Sequence, residues 1–351
     1  MMNFSTEDIK TMIGQMIMVG LRGTSTEDAK SFFDSMTGFA IGGVILYDEN
    51  VTTSPSSPHN IRSPEQVKSF NASLQSFSPT PLLIGVDQEG GQVNRLKGEY
   101  GFPHSKSWAE IGQLNDVTET QSHSKYMAAT LSDHGFNLNF APVLDLSINP
   151  KSFIAKKDRC FSSDPKNVSV HSEIFMKAHL NENVVPVCKH FPGQGSAGGD
   201  THEGIVDVTK TWSETELIPY QTLINHDCIP AIMTSHLFHK QMDSKLPATL
   251  SSKVLNGLLR DKMGFNGAII SDDPQMGAIA NHYDLKTIVR LMIHAGVDIF
   301  CFGNNLVYDP DIVQKVHTNI LNLLNEGAIG VQQIEQSYNR IMQLKKSIGL
   351  L

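Results

Sequence analysis

Asp200 and His202 lie one residue apart in a segment that begins Lys189-His190-Phe191-Pro192-Gly193-Gln194-Gly195 and holds five glycines from Gly193 to Gly204. Glycine at that density favours neither helix nor strand, so the segment is expected to move over whatever the preceding strand points at. A carboxylate beside an imidazole on such a lid reads as a proton-transfer pair, because histidine titrates near neutrality. A second concentration of polar groups, Ser271-Asp272-Asp273, ends an apolar run. Adjacent carboxylates on an extended strand point to opposite faces, so one of the two is expected to enter a site and the other to turn toward backbone donors. Asp87, Asp145, Lys189-His190, Ser235-His236 and Asn304-Asn305 also follow apolar runs. Each has a structural explanation by itself: an aspartate caps the helix after it, Lys189 joins a buried ion pair, and His236 packs under a loop.

Other chemistries fit this inventory less well. The Asp200 and His202 pair lacks a third nearby ligand, so no metal is expected. The glycines from 193 to 199 match neither GxxxxGK[ST] nor GxGxxG, since Pro192 and Gln194 interrupt the pattern, and no nucleotide or other cofactor is expected.

The elements that must position these residues alternate along the chain. Short apolar runs at 16–19, 43–46, 82–86, 139–144, 184–188, 231–234, 267–271 and 298–302 are separated by stretches of helical period at 26–36, 64–77, 117–134, 168–181, 214–225, 253–263 and 285–295, and two more close the chain at 310–325 and 331–346. Eight strand-helix alternations predict an α/β fold of the (β/α)8 TIM-barrel type, with a doubly wound sheet as the alternative. In a barrel the residues just after the strands share one mouth, so groups distant in sequence converge. At 351 residues the chain is expected to form one barrel domain over 1–351. A net charge of −8 without a Lys/Arg run argues against nucleic acid and anionic membranes as partners. Four scattered cysteines, no basic leader and no apolar run of membrane length point to a reduced, cytoplasmic protein.

The motifs in order resemble the family 3 glycoside hydrolases, specifically the single-domain bacterial β-N-acetylglucosaminidases (β-hexosaminidases) of peptidoglycan recycling. The resemblance rests on Gly42-Gly43-Val44-Ile45-Leu46, Val86-Asp87-Gln88-Glu89-Gly90-Gly91, Asn139-Phe140-Ala141-Pro142-Val143-Leu144-Asp145, Asp158-Arg159-Cys160-Phe161-Ser162-Ser163-Asp164-Pro165, Lys189-His190-Phe191-Pro192-Gly193, Asp200-Thr201-His202, Met233-Thr234-Ser235-His236 and Ser271-Asp272-Asp273. The Asp-x-His loop separates this branch from the β-glucosidases, whose acid/base carboxylate commonly comes from a second domain; this chain is expected to end before one could begin.

The resemblance implies a retaining hydrolysis in which Asp272 is the nucleophile and His202 the acid/base, oriented by Asp200. It implies that Asp87, Arg95, Arg159, Lys189 and His190 hold the sugar hydroxyls, with His236 ranked below them. The expected partner is a small carbohydrate ending in N-acetylglucosamine, from peptidoglycan fragments or chito-oligosaccharides, and oligomeric partners are left open. Four positions depart from the family pattern: Gln194 in place of a second histidine, Gln92 in place of an arginine, Pro274-Gln275 in place of Leu-Ser, and a Ser/Pro-rich insertion at 50–58. A glycoside phosphorylase, a β-glucosidase-like member and a non-catalytic sugar binder are the alternative readings.

Overall fold

Eight short apolar segments, buried on both faces as their near-continuous hydrophobicity demands, become parallel strands. They are β1 Ile17–Gly20, β2 Gly43–Leu46, β3 Leu83–Val86, β4 Leu138–Asn139, β5 Val185–Phe191, β6 Ala231–Thr234, β7 Ala268–Ile270 and β8 Phe300–Phe302. This is a computed structural model, describing residues 5–36, 38–53 and 57–351. The ladder runs β7-β6-β5-β4-β3-β2-β1-β8. A parallel bridge between Ile270 and Ile299, with the Ser271 N–H donating to the Ile299 carbonyl at 2.9 Å, joins β7 to β8 and closes the sheet on itself. The result is the expected (β/α)8 barrel rather than a doubly wound sheet, and its side chains fill one continuous core.

Two strands differ from expectation in ways that matter for the mouth. β4 is ordered as a strand only over Leu138–Asn139, because Pro142 has no N–H to give the ladder; pairing resumes at a bridge between Val143 and Lys189. β5 runs on to Phe191, so Lys189 and His190 sit inside the strand instead of after it.

The intervening helices start where the sequence offers a cap. Ser25 with Asp28 forms a capping box, Ser63 precedes Pro64, and Asp164 precedes Pro165, which starts that helix three residues earlier than its apolar period suggests. A helix at Thr6–Gln15, capped by Ser5 and Asp8, lies before the first strand where none was expected. Its last residue, Gln15, donates to the Ala40 and Ile41 carbonyls, and Lys345 of the final helix donates to Gln15 and to the Pro81 carbonyl, both at 2.6 Å. These buried bonds fasten the end of the barrel opposite the mouth. The 50–58 insertion pairs Glu49–Asn50 with Ser57–Pro58 as a small hairpin; 54–56 lie outside the described residues. Among the described residues no helix is long and apolar enough to cross a membrane.

Candidate active site

At the C-terminal ends of the strands a cavity of about 300 Å³ opens. Of the residues expected to act there, Asp87, Arg95, Arg159, Lys189, His190, His202 and Asp272 line it. Asp200 stands behind His202. His236 does not line the cavity: it is buried, with Nδ1 against Thr249 Oγ1 and Nε2 donating to the Asp273 carbonyl at 2.9 Å. Its structural explanation is therefore the one the fold bears out.

One wall is a chain of charges. Lys189 Nζ lies 2.7 Å from both Asp87 Oδ1 and Glu89 Oε1, and Arg159 grips Glu89 through Nε and Nη2, both at 2.8 Å. Arg159 Nη2 also approaches His190 Nε2 at 3.3 Å, and His190 Nδ1 meets Asp145 Oδ2 at 2.7 Å. Burial opposes the charge on Glu89, yet Arg159 and Lys189 hold its carboxyl down to about 2. Burial likewise pulls on Lys189, and Asp87 and Glu89 outweigh it, so its ammonium is held above its ordinary range. A buried network of this kind gives little net stability but holds each donor in one orientation. Glu89, to which the sequence reading gave no role, is its centre. The acidic residue stood in the Asp87-to-Gly91 motif, but its partners come from 70 and 100 residues away in the chain. Arg95 also lines the cavity, 3.5 Å from Asp48 and over the Tyr47 ring, with the Asp87 charge acting on it.

The glycine-rich segment is not one lid. Its first half is locked: Asp145 Oδ1 accepts from the Gln194 N–H at 2.7 Å, and Glu216 Oε2 accepts from the Gly195 N–H at 2.7 Å. A Cβ at Gly193 would strike Glu216, and one at Gly195 would strike the Leu146 carbonyl. Those glycines serve close approach, not motion, and residues 193–197 are buried. Glu216 is a second residue the sequence reading missed; burial pushes its carboxyl up to about 7.

Beyond Gly198 the segment emerges into solvent and crosses the mouth. The Gly277 N–H donates to the His202 carbonyl at 3.1 Å, and the Ala278 N–H to the Thr201 carbonyl at 3.2 Å. This docking on the turn after β7 brings the imidazole to the side of the cavity that holds Asp272. Asp200 Oδ1 takes both the His202 N–H, at 3.0 Å, and Nδ1, at 2.6 Å. Nε2 is thereby left for the cavity, and the side chain is 47% exposed. The Phe153 ring backs it at 5.8 Å.

Asp272 and Asp273 both line the cavity, contrary to the expectation of opposite faces. β7 ends at Ile270, so strand alternation no longer governs residues 272 and 273. The Asp273 N–H donates to Asp272 Oδ1 at 2.8 Å, while Asp273 Oδ1 accepts from the Gln275 N–H at 3.0 Å, the backbone donor expected for the second carboxylate. Burial works against ionisation of Asp272, but the imidazoles of His236, His190 and His202 hold its carboxyl below the usual range. For Asp273 burial dominates, the Gln275 N–H offsets part of it, and the neighbouring Asp272 charge adds to it, lifting the carboxyl to about 7. Two adjacent carboxyls are thus driven apart, one ionised and one able to keep a proton near neutrality.

The raised pKa of Asp273 carries a stability prediction. Its folded value lies above the unfolded one, so its contribution is complete below about pH 4 and is lost as pH rises toward 7. Asp273→Asn keeps an oxygen for the Gln275 N–H and does not titrate. The melting temperature of the variant relative to the wild type should therefore climb between pH 4 and pH 8, by at least ~1–2 °C. A difference that stays flat in thermal melts across that range would contradict the assignment.

Among the described residues no three His, Cys, Asp or Glu side chains gather as a metal-binding group. The four cysteines are buried and unpaired with one another. A barrel mouth with this carboxylate, imidazole and charged wall fits glycoside chemistry, and the profile of the glycosyl hydrolase family 3 N terminal domain matches residues 8–344. The chain belongs to that family. This family 3 glycoside hydrolase is 32% identical over 289 residues to a β-hexosaminidase of Nitrosomonas eutropha, covering 80% of this chain and 77% of the relative. A family 3 β-N-acetylglucosaminidase from Paenibacillus sp. superposes with a TM-score of 0.88 at 27% identity, over 99% of this chain; the chain spans only 63% of that longer protein. LpqI of M. tuberculosis gives a TM-score of 0.81 at 27% identity, over 97% of this chain and 94% of LpqI.

Proposed function

We propose that the protein is a retaining exo-β-N-acetylglucosaminidase whose single domain, 1–351, carries the whole reaction. The observation that supports this best is that His202, oriented by Asp200, and the ionised Asp272 line one cavity. The hexosamine preference is supported by the similarity to a β-hexosaminidase and to a β-N-acetylglucosaminidase.

In the first step an Asp272 oxygen bonds to the anomeric carbon as the glycosidic C–O bond breaks, and the His202 Nε2 proton goes to the departing oxygen. In the second, His202 takes a proton from water, the water oxygen bonds to the anomeric carbon, and Asp272 leaves as carboxylate. Asp87, Lys189, Arg159 and His190 present the charged wall that holds ring hydroxyls, and Arg95 adds a further donor to the same cavity. Positioning of this kind places the anomeric carbon in line with Asp272. Peptidoglycan fragments or chito-oligosaccharides are the natural substrates in this reading, and the unpaired cysteines agree with a reducing, cytoplasmic setting for cell-wall recycling.

A side-by-side assay of nitrophenyl β-N-acetylglucosaminide and nitrophenyl β-glucoside, each with and without phosphate, tests it. The expected result is strong preference for the first substrate and free N-acetylglucosamine in both buffers. Equal turnover of the two would remove the hexosamine reading, and a sugar 1-phosphate product would make the enzyme a phosphorylase.

A further inference from the structure

A second opening of about 350 Å³ lies beside the mouth, between the start of the helix Thr26–Ser35 and the loop after β8. Arg22 lines it, and no carboxylate among the described residues forms an ion pair with that guanidinium. Its plane is fixed from two directions: Nη1 lies 2.8 Å from His59 Nε2, and the group stands 4.6 Å over the ring of Tyr308. Burial, and then the Arg22 charge, push His59 down to about 4, so at neutral pH its Nε2 accepts the Arg22 proton instead of competing as a cation. Two acidic residues line this opening: Asp28 is spent on the backbone of Thr24 and Ser25, and Asp311 is exposed and makes no ion pair with Arg22. A half-buried guanidinium, stacked on an aromatic ring and lacking a counter-ion, leaves most of its five donors for a planar anion. Burial without a counter-ion accordingly holds Arg22 below its ordinary range.

The two openings are neighbours. Leu306 lines the sugar cavity and Tyr308 lines the second opening, and two residues of chain span at most about 7 Å. The ridge between them, Leu306-Val307-Tyr308, is exposed and apolar, and Val51 of the insertion hairpin stands exposed at the rim of the cavity. His59, which buttresses Arg22, follows directly on that hairpin, so the insertion and the guanidinium form one feature of this chain.

We propose that Arg22 and Tyr308 form a carboxylate-binding subsite for the aglycone, reached over the Leu306–Tyr308 ridge from the sugar cavity. The proposal rests on the glycosidase reading above and narrows it to aglycones that carry an acidic arm, as opposed to neutral chito-oligosaccharides. A carboxylate could reach Arg22 on the aglycone or as a free anion, and the test separates the two sources.

The experiment compares N-acetylglucosaminyl substrates whose aglycone ends in a short peptide carboxylate or in the matching carboxamide, with nitrophenyl β-N-acetylglucosaminide as the neutral reference. The wild type should favour the carboxylate by about tenfold in kcat/KM, as a charge-assisted bond at a part-buried site implies. Arg22→Gln should lose that preference and turn over the nitrophenyl substrate unchanged. If that variant folds poorly, Arg22→Lys, which keeps the charge but not the planar fork, should show a reduced preference. No substrate preference, together with an acetate-dependent rise in Tm in the wild type and not in Arg22→Gln, would keep the subsite and assign it a free anion. Neither effect, or a preference that survives in Arg22→Gln, overturns the subsite. Activity on the nitrophenyl substrate throughout shows that such a failure belongs to Arg22 alone, whereas its absence in the wild type would count against the glycosidase reading.

Discussion

Asp272→Ala is expected to reduce turnover by roughly 10⁴-fold or more on every substrate while leaving the fold intact, because in the proposed mechanism it removes the group whose covalent bond divides the reaction into two easier steps. The fold should survive because what Asp272 gives the structure is small: a bond accepted from the Asp273 N–H at 2.8 Å, and a long 3.4 Å contact from its own N–H to Thr234 Oγ1 that alanine retains. Its charge is surrounded by the imidazoles of His236, His190 and His202, none of which needs it as a hydrogen-bond partner. A loss of activity alone would not separate a nucleophile from a carboxylate that merely stabilises positive charge. The variant leaves a space in the cavity the size of the lost carboxyl, and a small anion such as azide or formate can enter it. With an activated nitrophenyl substrate that anion should restore turnover and give a glycosyl product of the opposite anomeric configuration, since a single displacement replaces two. Residual activity within about tenfold of wild type would move the nucleophile elsewhere, with Asp273, also lining the cavity, as the first place to look.

Much of this site was legible in the sequence because the barrel makes it so. Strand-helix alternation gives the architecture, and the architecture gathers whatever polar residue follows each strand. Thus Asp87, Lys189, His190 and Asp272, which lie as much as 185 positions apart in the sequence, were assignable to one mouth. What local reading could not supply was the set of partners. Gly193 and Gly195 look like flexibility, but they are crowded by Glu216 and the Leu146 carbonyl, residues 23 and 49 positions away, so half of the expected lid is fixed. Glu89 shows no role in its local sequence, and becomes the centre of the charged wall only when Arg159 and Lys189 arrive. The expectation that Asp272 and Asp273 diverge assumed strand geometry through Asp273, whereas β7 ends at Ile270, three residues earlier. By contrast, the helix at Thr6–Gln15 has a signal in the sequence, since Ser5 and Asp8 have the spacing of a capping box.

His202→Ala should divide substrates by the quality of their leaving group, and the geometry of the loop makes the variant a clean one. The contacts that dock the loop use the backbone carbonyls of Thr201 and His202, accepting from Ala278 and Gly277, and alanine keeps them. The lost side chain touches Asp200 and leans on Phe153, so the cavity loses a proton donor and little else. For a sugar leaving group, whose oxygen must be protonated as it departs, kcat/KM should fall by about 10²–10⁴-fold, the usual contribution of a positioned acid. A nitrophenolate departs without that proton, so kcat/KM for the aryl glycoside should stay within about tenfold of wild type. Its kcat should nonetheless fall, because the same imidazole activates the water that releases the sugar from Asp272, and a glycosyl-enzyme should then accumulate and appear as a burst of nitrophenol. Asp200→Asn, which leaves the ring in place with a neutral partner on Nδ1, should show the same pattern at smaller amplitude. Equal losses on both substrate classes, with no burst, would mean that the imidazole binds the sugar and that the proton comes from another group.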